Sequence, residues 1–280
     1  MVERNFVREY GRALAENRIP YREPWIGFVH ASFEFPEWWE PQKNPKHVCQ
    51  LPAWRQSLPH CRGLIALSRR LRDCLRQLYP GLPVLALHHP TEVPAVTFDF
   101  EAYLRGGQEV VHIGWWLRRL CSMHWLPLPP ERKTLLVPQV GDGEQRFWKA
   151  MESERAREFA PPLCQWNVTF RSRLSNAQYD ALLGRSIAFL HLYASSANNA
   201  IIECIVRRTP VLVNPLPAVR EYLGEDYPFY FESLEEAAAK ASDPAKVLEA
   251  HRYLASKDVS FLSGEAFCRG LAESDLYRSL

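Results

Sequence analysis

The stretch HLYASSANNAIIECIVRRTPVLVNPLPAVREYLGEDYPFYF, residues 191–231, decides the fold. It contains the end of a strand, a polar loop, an apolar helix, a second strand and a second polar loop, an order typical of α/β proteins. The helix at 200–206 is apolar on every side and is predicted to be buried, yet it carries Glu203 about one turn from its start. Because a buried carboxylate is costly without a hydrogen-bond donor, Glu203 is the first candidate site residue.

Small polar side chains crowd the start of the same helix. They are Ser195, Ser196, Asn198 and Asn199. Such residues cap helices, and the N–H groups and dipole at a helix start also favour a bound anion. Capping and ligand contact are compatible, and the sequence leaves both open.

The composition indicates two α/β domains. The chain has 280 residues, 47% of them hydrophobic, and Lys plus Arg number 34 against 32 for Asp plus Glu. This balance gives no overall field that favours nucleic acid or an anionic membrane. Seven cysteines without a CxxC pair indicate buried thiols, so we expect a cytoplasmic protein without a metal site. The charged N-terminus and the lack of a long apolar run predict neither a signal peptide nor a transmembrane segment.

Strand and helix patterns alternate along the chain, which predicts parallel sheets. An amphipathic helix is expected at 3–16, with Phe6, Tyr10 and Leu14 on one face, and another helix opens at Ser68. Strands are expected at 25–29, 63–67, 82–87, 109–113, 134–137, 165–170, 186–190 and 211–213, with further helices at 143–158 and 176–183.

The domain boundary is predicted where this periodicity is lost. Residues 93–108 include Pro94 and the pair Gly106–Gly107, which is typical of a connector. A reduced Rossmann-like domain is therefore expected at 1–92 and a second Rossmann-like domain at 109–260. A helix at 261–280 is expected to cross back to the first domain.

Three stretches together resemble a known family. They are SSANNAIIECIVRRTPVLVNPLPAVREYLG, SLPHCRGLIALSRRLRDCL with LPVLALHHP, and VHIGWWLRRL. The chain resembles GT-B glycosyltransferases that use sugar nucleotides, related to the large retaining family with a Glu, seven residues, Glu motif. The resemblance implies two Rossmann-like domains facing a cleft, with the nucleotide diphosphate sugar on 109–260 and the acceptor on 1–92. It implies no cofactor beyond that donor, which is a co-substrate.

The resemblance also assigns roles around the buried helix. Glu203 corresponds to the second Glu of the motif, which holds the ribose hydroxyls of the donor. Ser195 stands where the first Glu faces the transferred sugar, so the motif is broken there. Ser195, Ser196 and Asn198 are then expected to contact the donor sugar through hydrogen bonds, with Asn199 beside them.

Other residues are nominated by the same resemblance. Gly114 opens the turn after the first strand of the second domain, and Arg118 or Arg119 resembles the family's diphosphate clamp. Lys133 is the nominee for the usual downstream lysine. His30 corresponds to a cleft histidine that hydrogen-bonds the sugar or the reaction centre. Each also has a structural alternative, such as a salt bridge for the arginines or a core contact for His30.

The resulting expectation is transfer of a sugar from a nucleotide diphosphate sugar to an acceptor hydroxyl, without an obligatory metal ion and with retention favoured over inversion. Since Ser195 replaces a carboxylate, a catalytically silent module that binds a nucleotide sugar or a partner is an alternative. A glycosyltransferase acting on modified DNA bases is a further alternative, for which Arg69, Arg70, Arg72 and Arg76 would supply a basic face. The sequence identifies neither the acceptor nor the oligomeric state.

Overall fold

A computed structural model of the chain describes residue 2 and residues 4–34, 36–138, 142–172 and 174–278. Its strands are β1 (Trp25–Val29), β2 (Cys61–Ala66), β3 (Val84–Ala86), β4 (Val110–His112), β5 (Lys133–Leu136), β6 (Thr169–Arg171), β7 (Ile187–Leu190) and β8 (Val211–Val213). The α/β class predicted from the sequence is confirmed.

The helices connect and cover these strands. They are α1 (Tyr10–Ala15), α2 (Pro45–Val48), α3 (Pro52–Ser57), α4 (Arg69–Leu78), α5 (Phe100–Arg105), α6 (Ser122–Trp125), α7 (Gly143–Arg157), α8 (Asn176–Leu183), α9 (Asn199–Arg207), α10 (Pro217–Leu223), α11 (Leu234–Ser242), α12 (Pro244–Ser256), α13 (Gly264–Ala272) and α14 (Asp275–Arg278). Within the described ranges, no helix is both long enough and apolar enough to cross a bilayer.

The chain divides into two compact units. Unit 1 comprises Met1–Thr91, Ala194–Asn198 and Ser260–Leu280, and unit 2 comprises Glu92–Tyr193 and Asn199–Val259. The stretch 93–108, for which we expected a connector, lies in unit 2 and contains α5. Tyr103 of α5 is fully buried and donates a hydrogen bond to the carbonyl of Ala241 at 3.3 Å. The interrupted periodicity therefore concealed a short packed helix.

Unit 1 is built on a parallel sheet of order β1–β2–β3. Successive residues of β2 face opposite sides, so Leu64 lies in one core cluster and Ile65 in another. On the Leu64 side, Phe6 packs edge-on against Trp54 with ring centroids 5.1 Å apart, and α4 buries Leu71. Buried aromatic pairs of this kind contribute a large share of the packing energy of a small core.

The N-terminal helix differs from the prediction. Arg4–Arg8 form a π-helical turn, and α1 begins only at Tyr10. Phe6 is buried as expected, whereas Leu14 is 39% exposed and Ala13 is buried instead. A π turn holds more residues than an α turn, so it rotates the apolar face by about one position for the residues that follow.

The second face of the unit 1 sheet is covered by the C-terminal residues. The Phe267 ring of α13 stacks on Phe28 of β1 at 6.2 Å, and Leu276 of α14 packs against Ile65. Gly63 allows this approach, because a Cβ atom at that position would overlap the side chain of Leu276. Residues 260–278 are thus part of unit 1 and form two short helices after a 3₁₀ turn.

Unit 2 is built on a parallel sheet of order β6–β5–β4–β7–β8. The chain starts in the middle at β4, adds β5 and β6 on one side, and then returns to add β7 and β8 on the other. The residues of β4, β7 and β8 are all buried, as expected of strands covered by helices on both faces. This is a doubly wound Rossmann-like sheet with its topological switch point between β4 and β7.

Candidate functional site

The loops after β4 and β7 flank the switch point of unit 2, which is where open α/β sheets bind ligands. The two loops pair with each other through their backbones. The N–H of Arg119 donates to the carbonyl of His191 at 2.7 Å, and the N–H of Tyr193 donates to the carbonyl of Leu117 at 2.9 Å. Helix α9 begins at Asn199, shortly after the second loop. Elements that were predicted from residues 191–231 therefore lie at this edge of the sheet.

Asn214, the first residue after β8, anchors the β7 loop. Its side-chain oxygen accepts from the N–H of Leu192 at 2.8 Å, and its side-chain nitrogen donates to the carbonyl of Leu192 at 3.0 Å. A buried backbone needs such partners once a strand ends, because an unpaired peptide group is costly. The loop after β7 is thereby fixed to the end of β8.

Glu203 lies on α9 as predicted, on an otherwise buried helix. The other side chains from Ala200 to Val206 are buried, while Glu203 is half-buried. The hydroxyl of Tyr179, on α8, donates a hydrogen bond to Glu203 Oε2 at 2.7 Å. Burial raises the pKa of Tyr179, and the carboxylate raises it further, so the phenol stays a donor. Tyr179 therefore supplies a hydrogen-bond donor to the half-buried carboxylate.

Arg118 is buried at the switch point. Its Nε donates to the carbonyl of Ile113 at 3.1 Å, so the guanidinium folds back onto its own loop. Burial lowers the pKa of Arg118 to about 10, and attraction to the Glu203 carboxylate opposes that shift. The side chain thus remains a cation at neutral pH, and it lies within electrostatic range of Glu203.

Gly114 makes room for this arginine. It has a φ of 73°, a conformation that L side chains rarely adopt, and a Cβ there would lie 2.9 Å from Arg118 Cζ. Both the backbone conformation and the close approach require glycine. The sequence placed Gly114 at the turn, but the contact with Arg118 becomes visible only in the structure.

Arg119 points to a different neighbour. Its guanidinium lies over the ring of Tyr193, 4.5 Å from the ring centroid. Its Nε is buried and has no hydrogen-bond partner among the residues that the structure describes. Since a buried N–H without a partner is costly, this donor is a candidate for ligand contact.

The surroundings of Lys133 do not support the role predicted for it. Its side chain is fully buried, and its Nζ donates to the carbonyls of His124 and Leu126, both at 3.1 Å, and to Asn167 Oδ1 at 2.7 Å. Burial lowers its pKa to about 8. All three ammonium protons have acceptors within the protein, so Lys133 holds the loop around α6 and has no donor to offer a phosphate.

The serines and asparagines before α9 fall into two groups. Ser195, Ser196 and Asn198 are buried, whereas Asn199 is exposed. Ser195 donates to the carbonyl of Ser196 at 3.2 Å, and the hydroxyls of Ser196 and Ser68 lie 3.1 Å apart. These three buried residues belong to unit 1, and Ser68 also caps α4 by accepting from Leu71 N–H at 3.2 Å.

His30 directly follows β1 at the carboxyl edge of the unit 1 sheet. Its ring lies 6.2 Å from the ring of His89, which comes after β3, and Ser68 follows β2 between them. His89 Nδ1 lies 2.8 Å from the carbonyl of Pro90, a contact that fixes the ring orientation. The neighbouring His88 packs instead on Phe261, with ring centroids 4.9 Å apart. The edge of unit 1 therefore carries a group of imidazoles and hydroxyls.

Two of the four arginines of helix α4 are paired with carboxylates of the same unit. Arg70 pairs with Glu34, Arg72 pairs with Asp73 at 2.8 Å, and Arg76 donates to the carbonyl of Val84 at 3.1 Å. The pairing of Arg70 and Arg72 with carboxylates weakens the basic face that a nucleic acid would need. In the part of the chain that the structure describes, no three His, Cys, Asp or Glu side chains come together as metal ligands.

Sequence reasoning missed several residues of this site. Tyr179 stands among ordinary helical residues, and no local signal marks it. His112 ends β4 with both ring nitrogens buried and unpartnered within the described residues, and burial lowers its pKa to about 3. Asn214 did carry a signal, since polar residues directly after a buried parallel strand lie at the ligand-binding edge.

Comparison with known proteins supports the fold. No family model and no curated protein sequence matches the chain. Among solved structures, Anabaena HepE in complex with UDP-glucose matches at 15% identity over 92% of this chain and 73% of that chain, with a TM-score of 0.66. Sucrose-phosphate synthase from Thermosynechococcus elongatus matches at 15% identity over 96% of this chain and 70% of that chain, with a TM-score of 0.61.

This chain covers a smaller share of a third matching structure. A mutant of S. aureus TarM, in complex with fondaparinux, alpha-GlcNAc-glycerol and UDP, matches at 12% identity over 91% of this chain, with a TM-score of 0.62. This chain spans half of the TarM chain. The matched structures are GT-B glycosyltransferases, and at these identities the similarity concerns the fold. The chain described here has the GT-B fold, with two Rossmann-like domains, of these nucleotide-sugar glycosyltransferases.

Proposed function

We propose that the chain is a glycosyltransferase that moves a sugar from a nucleotide diphosphate sugar to an acceptor hydroxyl. The observation that carries this proposal is the placement of Glu203, held by Tyr179, within electrostatic range of the buried Arg118 at the switch point of unit 2. A carboxylate and a guanidinium at that edge match the ribose hydroxyls and the diphosphate of one ligand. HepE and TarM were solved with UDP or UDP-glucose, so uridine diphosphate sugars are the first donors to test.

Glu203 is proposed to hold the ribose. A carboxylate accepts hydrogen bonds at about four lone-pair sites, so the single bond from Tyr179 leaves capacity for two ribose hydroxyls. The bond from Tyr179 also fixes the orientation of the carboxylate before the ligand arrives. Such preorganisation increases affinity because less side-chain freedom is lost on binding.

Arg118 and Arg119 are proposed to stabilise the departing diphosphate. The rigid fork of a guanidinium matches phosphate oxygens, and a buried cation is more effective than an exposed one. Arg119 has a buried Nε without a described partner, which a phosphate oxygen would satisfy. The two arginines supply positive charge at the leaving group, and on that basis we propose transfer without an obligatory metal ion.

His30 is proposed to hydrogen-bond the transferred sugar or the acceptor, with Ser68 and Ser196 on the same unit. The resemblance to the retaining family favours retention, although Ser195 provides no charge where relatives have a carboxylate. The anomeric configuration of the product, read by NMR, tests this part separately. A product of inverted configuration would overturn retention and leave the transferase activity standing.

Substitution of Glu203 by Ala is expected to weaken binding of UDP by about 100-fold, because the ribose loses a charged hydrogen-bond acceptor and Tyr179 loses its partner. Isothermal titration calorimetry measures the affinity, and a thermal melt reports whether the fold survives. Glu249→Ala, an exposed glutamate on α12, is the matched control. Equal UDP affinity in Glu203→Ala and Glu249→Ala would reject the assignment of Glu203.

A catalytically silent module that binds a nucleotide sugar is the second candidate. The observation in its favour is Ser195, a neutral residue whose hydroxyl is engaged by the neighbouring carbonyl of Ser196. Release of UDP from UDP-glucose, with and without candidate acceptors, separates the two functions. Binding without any release, for every nucleotide sugar that stabilises the protein, would favour the silent module.

A further inference from the structure

Glu154 is a buried carboxylate to which the proposed chemistry assigns no role. It lies on α7, is 1% exposed, and accepts two backbone hydrogen bonds. The N–H of Leu120 donates to its Oε2 at 2.9 Å, and the N–H of Cys121 donates to its Oε1 at 3.1 Å. One side chain thus satisfies two consecutive peptide groups of another segment.

The segment held in this way is the loop that carries both arginines. It leaves β4 at Ile113 and reaches α6 at Ser122. Its middle is fixed by the N–H of Arg119, which donates to the carbonyl of His191 at 2.7 Å. Its far end is fixed by Glu154. Glu154 is the acceptor that the structure describes for the N–H groups of Leu120 and Cys121.

The surroundings of the carboxylate are mostly apolar. Burial raises the pKa of Glu154 to about 7, and the hydrogen bonds from Leu120 and Cys121 oppose that shift. The titratable groups that face it are Glu158 on the same helix, Cys121 on the loop, and Tyr193 after β7. Desolvation of this carboxylate opposes the stability that its two hydrogen bonds contribute.

We propose that Glu154 is a positioning residue of the donor site, whose carboxylate holds the Leu120 and Cys121 peptides and so presents Arg118 and Arg119 to a nucleotide diphosphate. This inference rests on the proposed function. The Tyr193 ring that supports the guanidinium of Arg119 also faces the carboxylate, so one group acts on the backbone and on the aromatic support of the same arginine.

Glutamine is the informative replacement, because it keeps the shape and loses one acceptor. Its amide oxygen accepts from one peptide N–H, and its NH₂ group then faces the other N–H, donor against donor. Glu152→Gln is the matched control, since Glu152 is an exposed residue of the same helix that forms a surface ion pair with Arg155.

The experiment compares the full-length wild type, Glu154→Gln and Glu152→Gln by calorimetry with UDP-glucose from about pH 6 to about pH 8. Its diphosphate is esterified at both ends and takes up no proton in this range. We expect wild-type affinity to fall as the pH drops through about 7, where the carboxylate becomes protonated. In Glu154→Gln we expect affinity about tenfold weaker at pH 8 and no such fall. We also expect a lower melting temperature, because one buried peptide N–H loses its acceptor. Glu152→Gln should match the wild type throughout.

A purely structural role would lower the melting temperature of Glu154→Gln and leave its affinity for UDP-glucose at the wild-type value, and that result would overturn the inference. Should this variant not fold, Glu154→Asp replaces it, because aspartate keeps the charge but is too short to reach both peptides, and wild-type affinity in Glu154→Asp would also overturn the inference. Hydrogen exchange of residues 114–121 gives a readout that needs no ligand. Faster exchange there in Glu154→Gln supports the anchoring even if UDP-glucose does not bind, and absence of binding by the wild type would count against the proposed function alone.

Discussion

The carboxyl edges of the two sheets differ in the side chains that they carry. In unit 2, the charged Glu203 is hydrogen-bonded to Tyr179, and Asn214 is hydrogen-bonded to Leu192. In unit 1, the imidazole rings of His30 and His89 lie 6.2 Å apart. The hydroxyls of Ser68 and Ser196 face each other at 3.1 Å in that unit.

This difference explains why the donor class can be proposed and the acceptor cannot. Fixed charges of opposite sign select a ligand that has both hydroxyls and phosphates at a set spacing. Hydroxyls and imidazoles accept and donate hydrogen bonds to any alcohol, so they indicate a hydroxyl-bearing ligand without identifying it. Unit 2 is thus specific in its chemistry, while unit 1 is permissive.

The substitution with the largest expected effect lies in unit 1. His30→Ala is expected to lower the rate of UDP release from UDP-glucose by about 100-fold, because it removes a group proposed to contact the reacting sugar or acceptor. The affinity for UDP should stay within about twofold, since the contacts that we propose for the nucleotide lie on unit 2. His60→Ala, an exposed histidine of the same unit, is the control. A parallel loss of UDP affinity would remove the distinction between the two edges.

A smaller effect is expected at the support of the carboxylate. Tyr179→Phe removes the hydroxyl that donates to Glu203 at 2.7 Å, and a hydrogen bond to a charged group is worth about 1.5–3 kcal/mol. We expect UDP affinity to fall about tenfold in calorimetry, with the aromatic packing kept. Tyr277→Phe, at a half-exposed tyrosine of α14, is the control. Unchanged affinity in Tyr179→Phe would mean that Glu203 is not preorganised by this bond.

How far the sequence predicts this architecture depends on the element. The runs at 25–29 and 211–213 and the helix at 176–183 have the predicted bounds, because β-branched apolar runs and the capping box at Ser175 are local signals. The N-terminal helix differs because a π turn shifts its buried face, which no residue pattern indicates.

The site residues divide in the same way. Glu203 was predicted because a charge stands out in an apolar helix. Tyr179 was missed, since its contact with Glu203 spans 24 residues and depends on how α8 packs beside α9. The phosphate role of Lys133 was not supported, because a lysine at the start of a strand has the same sequence signature whether it reaches a ligand or, as here, three internal acceptors.

The smallest expected effect concerns stability at the core of unit 2. The folded-state pKa of His112 is about 3, below its ordinary value of about 6.5, so the unfolded chain takes up a proton that the folded chain does not. Stability is therefore lost as the pH falls below about 6.5, by about 1 kcal/mol between pH 7.5 and pH 6 for this group.

His112→Leu should reduce this loss, and urea unfolding at the two pH values measures it. His191, whose pKa is lowered to about 4, should retain a similar contribution in the variant. His60→Leu, at an exposed position, should keep the wild-type pH dependence. If His112→Leu and the wild type lose stability equally over this range, His112 does not titrate as its burial requires.

The two hydrogen bonds between the Asn214 side chain and the Leu192 backbone extend the pairing of the sheet. A side-chain amide carries one donor and one acceptor, as a peptide does, so Asn214 acts as a substitute peptide beside Leu192. The sheet thereby gains one rung of pairing beyond the end of β7 without an additional strand. One side chain therefore determines where the backbone pairing of β7 ends.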